Sequence, residues 1–427
     1  MRMAGEGERW VAREHRAFAL ALGALALACS QHEGRSPSSA LPPQSRVEPV
    51  VVELPDSRFD GAIRLASVFP WLGRYSLSGI QSTRGARLAV EDVNRGGGIH
   101  GRRLKLLEYR TGSYFVDVLR AADVATSQGE ALAIIGSNDS SLSAAIAGLA
   151  EARGVVQVSN VSTAQDLTWD PATGADRRYV FRVCVSDVVM GAQLARFAWD
   201  DLGARRVAVL YEVGRSYSAK LARSFVESFR DPAAGRLTEE LFYLPLETDF
   251  RGQIEAVRAF KPDLVFVPGA FTDATLIAIQ AEALGVRPTL LGADGWSNPL
   301  LFERGGPSRP AFHCDHCFPP PSFAERYRKV FGEDSYGCRA ALAYDAVLAV
   351  AAALRTLGPL TDEELVSGLA GARERLRQAL VAVDVQGVTG AIRFDAHGDV
   401  RRGLAIIRID PGPGGHVSRL YRQLEES

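Results

Sequence analysis

Residues 132–158, LAIIGSNDSSLSAAIAGLAEARGVVQV, decide the fold. The apolar runs Leu132–Ile135 and Val155–Val158 predict two buried strands, and Leu142–Arg153 between them predicts a helix. Two strands joined by a helix are typical of a parallel sheet, because parallel strands need a crossover connection. This unit therefore predicts an α/β fold in which helices pack on a parallel sheet.

The same alternation extends in both directions along the chain. Upstream, we predict strands at Ala62–Val68 and Leu104–Tyr109 and helices at Gly79–Asn94 and Val116–Ser127. The pattern restarts after a loop at about 165–178, with helices at Val188–Leu202, Ser218–Phe229, Ile254–Phe260 and Ala274–Leu284 and strands at Val207–Tyr211, Leu241–Tyr243, Leu264–Val267 and Thr289–Gly292. The two runs predict two Rossmann-like lobes, each built on a parallel sheet.

The C-terminal part of the chain is less regular. It predicts helices at Phe323–Phe331, Ala340–Leu357 and Glu364–Val381, and paired strands at Gly390–Phe394 and Leu404–Ile409. We assign residues 61–183 and about 314–356 to the first lobe. Residues 184–313 and about 357–427 are assigned to the second lobe.

The N-terminal residues have a different pattern. An apolar run, Ala17–Ala28, lies directly before Cys29. Four arginines precede this run: Arg2, Arg9, Arg13 and Arg16. Such a pattern is typical of a secretory signal, and the ending Ala-Leu-Ala-Cys resembles a bacterial lipobox. We expect residues 1–28 to be a signal peptide, Cys29 to carry lipid, and residues 29–60 to form a flexible tether. Ordinary cleavage and an uncleaved anchor are the alternatives.

Composition and motifs argue against several other classes of protein. The 427 residues are 47% hydrophobic and 23% charged, with a formal net charge of −1. These values are ordinary for a soluble globular protein, and no basic stripe indicates nucleic-acid binding. The sequence contains no Gly-x-Ser-x-Gly, His-Glu-x-x-His or Gly-x-x-x-x-Gly-Lys motif. We therefore expect neither catalysis nor a cofactor.

Four cysteines follow Cys29, at Cys184, Cys314, Cys317 and Cys338. An exported protein lies in an oxidising space, so we expect a disulfide among them. Free thiols are one alternative. A metal ion held by the cluster His313–Cys317 is another, but a tetrahedral site needs converging ligands and no second ligand cluster is present.

Polar residues follow three of the predicted strands, in the segments Gly136–Ser141, Ser159–Thr163 and Gly292–Asn298. Ligands of open α/β sheets bind outside the carboxyl ends of the strands, so these loops are candidate contacts. A helix start with serine hydroxyls attracts anions, whereas the carboxylate of Asp294 could receive an ammonium group. The alternatives are that the serines cap helices, and that the aspartate bonds its own turn.

Longer motifs indicate a family. Four segments resemble, in their order and spacing, the periplasmic branched-chain amino-acid binding proteins of bacterial ABC transporters. These segments are Gly85–Asn94, Gly97–Gly101, Gly292–Gly295 and Ala343–Val347. The resemblance extends from about 62 to 409. It implies the type I solute-binding fold, in which a hinge joins two lobes and the solute binds in the cleft between them.

The resemblance also implies roles for individual residues. It places carboxylate-binding hydroxyls at Ser140 and Thr163 and the acidic ammonium ligand at Asp294. It places the aromatic ring that covers the solute at Tyr217. Where relatives have a tyrosine after the strand Leu264–Val267, this chain has Ala270. The ring of the neighbouring Phe271 is therefore expected to pack against the solute. The hydroxyls of the two first-lobe loops add two further candidate contacts, Ser141 and Ser162.

These inferences predict a lipid-anchored protein of the periplasm or cell envelope. Its ligand is expected to be an amino acid or a related small polar solute, and its partners a membrane permease and, through the anchor, the membrane. A sensory or regulatory lipoprotein with the same fold is the main alternative function. An enzyme is a further alternative, which the absence of catalytic motifs makes less favourable.

Substitution of Cys29 tests the predicted anchor. Cells that express Cys29→Ala should incorporate no radioactive fatty acid into the protein, because the substitution removes the thiol that the lipid would occupy. Cys184→Ala, in the body of the chain, serves as the matched control and should be labelled like the wild type. Equal labelling of the wild type and Cys29→Ala would contradict the lipoprotein prediction.

Overall fold

The computed structural model describes residues 59–128, 130–412 and 415–425. It contains two α/β lobes, each with a largely parallel sheet, which confirms the fold class predicted from the sequence. The expected signal peptide, Cys29 and the tether up to residue 58 lie outside the described residues. Within those described ranges, no helix is long and apolar enough to span a membrane.

The first lobe begins with alternating strands and helices. In chain order they are β1 (Ile63–Pro70), α1 (Ser76–Arg95), β2 (Leu104–Thr111), α2 (Phe115–Ser127), β3 (Ala133–Gly136), α3 (Ser140–Arg153), β4 (Val156–Ser159), a short hairpin of β5 (Trp169–Asp170) and β6 (Ala175–Asp176), and β7 (Val180–Arg182). The sheet order is β2-β1-β3-β4-β7, and all pairs are parallel. Helices cover both faces, so β1 is buried along its whole length.

The second lobe has a seven-stranded sheet. The chain continues with α4 (Asp187–Asp200), β8 (Arg206–Glu212), α5 (Ser216–Phe229), β9 (Leu237–Tyr243), α6 (Arg251–Phe260), β10 (Leu264–Phe266), α7 (Phe271–Ala283), β11 (Thr289–Gly292) and β12 (Ala311–Asp315). These five strands are parallel to one another. Separate apolar clusters lie on the two faces of the sheet.

The C-terminal part returns first to one lobe and then to the other. Its elements are α8 (Pro321–Phe331), α9 (Arg339–Thr356), α10 (Asp362–Val366), α11 (Leu369–Val381), β13 (Asp384–Gly387), β14 (Gly390–Arg393), β15 (Ala405–Gly412) and β16 (Gly415–Gln423). Strands β15 and β16 complete the second sheet in the order β16-β15-β12-β11-β10-β8-β9, where they are antiparallel.

Three predictions for this part are wrong. The segment from Leu360 to Val400 packs in the first lobe rather than the second, because the apolar side of α11 completes the first-lobe core beside α9. Only the chain from about Leu404 joins the second lobe. The predicted strands do not pair, since β14 pairs with β13 and β15 pairs with β12 and β16. The predicted helix 364–381 is two helices, α10 and α11.

A close contact between α1 and α9 fixes the edge of the first lobe. Gly85 of α1 lies so near α9 that a Cβ atom on it would be 1.9 Å from the carbonyl oxygen of Ala340. Any side chain at this position would force the helices apart, which explains why the motif begins with glycine. The contact holds the first turn of α9 near the ends of the first-lobe strands.

The cysteines form one crosslink. The chain passes between the lobes three times, and Cys317 lies on the second passage. It forms a disulfide with Cys338, directly before α9, which confirms the prediction of a disulfide. Cys184 and Cys314 are buried and free. Strand β12 contains His313 to Asp315, and in the described part of the chain no His, Cys, Asp and Glu side chains group as metal ligands.

Removal of the disulfide should destabilise the protein. The bond closes a loop with a sequence separation of 21 residues, and a loop of about this length contributes about 3 kcal/mol. The variant Cys317→Ala/Cys338→Ala should therefore unfold at lower urea concentration than the wild type. Cys184→Ala removes a buried thiol without a crosslink, and it should lower the midpoint less. An unchanged midpoint in the double variant would contradict the stabilising role.

Candidate functional site

A cavity of about 110 Å³ lies between the two lobes. Engineered cavities of about 150 Å³ bind molecules the size of benzene, so this one suits a small solute. Its wall is formed by the loops after β1, β3 and β4 in the first lobe and after β8, β10 and β11 in the second. The start of α9 completes it. The cavity thus lies at the carboxyl ends of the parallel strands, where ligands of such sheets bind.

Four of the predicted contact residues line this cavity: Ser140, Tyr217, Phe271 and Asp294. Ser140 and Phe271 are each the first residue of a helix, α3 and α7. The hydroxyl of Ser140 accepts a hydrogen bond from the backbone N–H of Ala164 at 3.3 Å. Its own proton therefore remains available for an acceptor in the cavity.

Asp294 is a buried carboxylate held by neighbouring side chains. It accepts a hydrogen bond from the hydroxyl of Tyr217 at 2.7 Å, and that hydroxyl in turn accepts from the N–H of Gly295 at 3.1 Å. The second carboxylate oxygen lies 3.5 Å from Nε2 of His316. Burial opposes ionisation, but His316 and nearby Arg339 outweigh it and hold the pKa of Asp294 below its ordinary value. A negative charge is thus maintained at the wall.

The structure does not bring Ser141, Ser162 or Thr163 to the cavity wall. Ser141 lies in the first turn of α3 and donates its backbone N–H to Asp139. The hydroxyl of Ser162 bonds that of Ser143 at 2.7 Å and the carbonyl of Ser137 at 3.2 Å. The backbone carbonyl of the fully buried Thr163 accepts from the N–H of Asp187 at 2.7 Å. Of these three hydroxyls, that of Ser162 is bonded to neighbouring loop groups. Direct contact of the three residues with a solute stays a prediction.

The start of α3 differs from the expected anion site. The carboxylate of Asp139 accepts hydrogen bonds from the backbone N–H groups of Ser141 and Leu142, at 3.0 and 3.2 Å. This helix cap uses donors that the sequence analysis assigned to a ligand. Burial raises the pKa of Asp139. The hydroxyl of Ser140 is the serine side chain of this turn that lines the cavity.

Three arginines line the cavity and were missed in the sequence analysis: Arg74, Arg215 and Arg339. Arg74 binds Asp273 of the other lobe at 3.1 Å. Arg215 forms an ion pair with Glu212 at 2.6 Å and donates to the hydroxyl of Tyr75 across the lobes. One signal was present in the sequence, since Arg339 is a cation at the start of an otherwise apolar helix, an end where negative charge is favoured.

The guanidinium groups of Arg74 and Arg215 share one buried carboxylate, that of Glu212. Glu212 is 1% exposed and lies 3.7 Å from the guanidinium of Arg74 as well as beside Arg215. Burial raises the pKa of Glu212 to about 7. Burial, with the adjacent charge of Arg74, lowers the pKa of Arg215 to about 10. A network of charges therefore borders this part of the cavity, beside apolar and aromatic lining groups.

Comparison with known proteins identifies the family. The periplasmic binding protein family model matches residues 62–415. The chain belongs to this family. The Leu/Ile/Val-binding protein BraC3 of Rhizobium johnstonii is 26% identical over 57% of this chain and 64% of its own length. The amino acid binding protein of Pseudomonas aeruginosa is 26% identical over 56% and 62%. The alignments thus span less than two thirds of these relatives.

Solved structures agree with this assignment. The leucine binding protein LivK of Thermotoga maritima superposes with a TM-score of 0.73 and 27% identity, covering 85% of this chain and 99% of that chain. LivJ of Streptococcus pneumoniae, solved with isoleucine, shares the fold with a TM-score of 0.71, at 22% identity over 84% and 99%. The family resemblance and the type I fold predicted from the sequence are confirmed.

The buried carboxyl group of Asp187 should make the stability of the protein depend on pH. Burial, assisted by the charge of Asp294, raises the pKa of this carboxyl from 3.8 to about 7. The folded state therefore binds its proton more tightly than the unfolded state does. The contribution of the Asp187 carboxyl group to folding stability is therefore complete below about pH 4 and is lost as pH rises through about 7.

The substitution Asp187→Asn should remove this dependence. The free energy of unfolding can be measured with urea at about pH 5 and about pH 8. Its decrease between these two pH values should be smaller in Asp187→Asn than in the wild type, by on the order of 3 kcal/mol. Asp200→Asn, at the exposed end of the same helix, should leave the wild-type decrease unchanged. An unaltered pH profile in Asp187→Asn would contradict the raised pKa.

Proposed function

We propose that this protein is the extracytoplasmic solute-binding lipoprotein of an ABC transporter and that its solute binds in the cavity between the lobes. The observation that carries this proposal is the pairing of a free hydroxyl proton at Ser140 with a buried carboxylate at Asp294 in one small cavity. These groups come from different lobes. A solute that contacts both would favour the closed arrangement of the lobes.

The solute is an amino acid or a close relative. A zwitterion that leaves water needs partners for both of its charges, since an unpaired buried charge costs several kcal/mol. Ser140 donates to its carboxylate, and Asp294 accepts from its ammonium group. The rings of Tyr217 and Phe271 pack against it. The relatives named for Leu/Ile/Val binding and for amino acid binding support this ligand class.

Lipidation, export and the permease partner belong to the same proposal. A signal that ends at Cys29 would place the two lobes outside the cytoplasmic membrane on a polar tether. The membership in the periplasmic binding protein family supports this location. A membrane permease that accepts the solute from the lobes is the expected partner, and the function is binding rather than catalysis.

Substitution of Asp294 tests the site. Titration calorimetry with the proteinogenic L-amino acids identifies the tightest ligand, and Asp294→Asn should weaken that ligand by roughly 30-fold or more. Loss of a partner from a buried charge pair typically costs about 2–5 kcal/mol, and each ~1.4 kcal/mol is tenfold in affinity. The asparagine keeps the size of the side chain but removes its charge.

Asp249→Asn is the matched control for this experiment. Asp249 is an exposed carboxylate of the second lobe, paired with Arg251 and outside the cavity. Its substitution should leave the affinity within about twofold of the wild type. If Asp294→Asn binds the amino acid as tightly as the wild type, Asp294 is only a turn residue. The assignment of an amino-acid ligand would then be wrong.

A further inference from the structure

Arg339 is a cavity-lining cation that lacks a carboxylate partner. It donates to the backbone carbonyls of Ser297 at 2.7 Å and Asp294 at 3.0 Å, both on the turn after β11. In the ranges that the structure describes, its guanidinium forms no ion pair, although its charge acts on Asp294. A guanidinium carries five N–H donors, so donors remain for a ligand.

Its position at the start of a helix adds to the positive potential. Arg339 is the first residue of α9, an 18-residue helix. The N-terminal end of a helix dipole is positive and favours negative charge, so a cation is unfavourable there unless an anion lies beside it. The dipole and the guanidinium therefore both favour an anionic group in this part of the cavity.

Charged side chains also form part of the wall away from Arg339. Arg74 and Arg215 line the cavity together, and their ion pairs with Asp273 and Glu212 are only partly exposed. A purely apolar group closing over these charges would remove water from them without supplying hydrogen bonds. A ligand group that accepts hydrogen bonds would replace the lost water.

We infer that the solute is an acidic amino acid, whose side-chain carboxylate binds Arg339. This inference rests on the proposed function, because the same molecule places its α-carboxylate at Ser140 and its ammonium group at Asp294. The two carboxylates and one ammonium group of aspartate or glutamate then each have a partner. An aliphatic amino acid would leave the remaining N–H donors of the part-buried guanidinium without a ligand acceptor, and sites built to hydrogen-bond a polar group reject analogues that lack it.

Titration calorimetry with L-glutamate, L-aspartate, L-leucine and glutarate tests this inference. The wild type should bind one of the acidic amino acids at least roughly 30-fold more tightly than L-leucine. Arg339→Gln should abolish this preference, because it removes the charge while retaining an amide donor. Arg339→Lys keeps the charge and should retain part of the preference. Arg196→Gln, on an exposed position of α4, is the matched control and should retain all of it.

The outcomes distinguish a failure of the acidic-ligand inference from a failure of the proposed amino-acid-binding function. Equal or tighter binding of L-leucine by the wild type would overturn the acidic ligand and leave the amino-acid function intact. Binding of glutarate but of no amino acid would overturn the amino-acid function itself. No binding of either acidic amino acid at millimolar concentration would also overturn the inference. If Arg339→Gln melts below the wild type, Arg339→Lys decides: retention of part of the preference supports the inference, and complete loss of the preference overturns it.

Discussion

Three arginines connect the two lobes across the cavity, and the geometry of the site depends on them. Arg74 reaches Asp273, Arg215 reaches Tyr75, and Arg339 reaches the turn that carries Asp294. Each contact joins a residue of one lobe to a residue of the other. Charges in a cavity between lobes must be paired or hydrogen-bonded, because unpaired burial is costly. The lobes therefore approach each other through polar contacts, and these contacts arrange the charges around the cavity.

The fold explains how these side chains reach one place. Parallel strands direct their carboxyl ends to one edge of each sheet, and the two edges face each other across the cavity. The first turn of α9 is held by the Cys317–Cys338 disulfide and by the close contact with Gly85. Arg339 follows Cys338 directly, so the disulfide also fixes the base of a cavity-lining side chain.

Local patterns were enough to predict the α/β lobes. Four of the seven candidate contacts line the cavity, and two of these four, Tyr217 and Phe271, came from the family resemblance. The apolar strands are short and continuous, and loops after them contain Ser140 and Asp294. The return of residues 360–400 to the first lobe could not be predicted, because it depends on long-range packing of α11. The helix cap formed by Asp139 was not predicted. An aspartate directly before a helix gives the same sequence pattern whether its carboxylate accepts hydrogen bonds from the backbone or binds a ligand.

The arginines were missed for a related reason. Arginine side chains usually lie at the protein surface, and only the tertiary arrangement places three of them around one cavity. A crystal structure with the amino acid that raises the melting temperature most would test the central claim directly. We expect the solute in this cavity, with its ammonium group on Asp294 and a carboxylate on Ser140. A solute bound outside the cavity, or bound within it without contact to Asp294, would contradict the account.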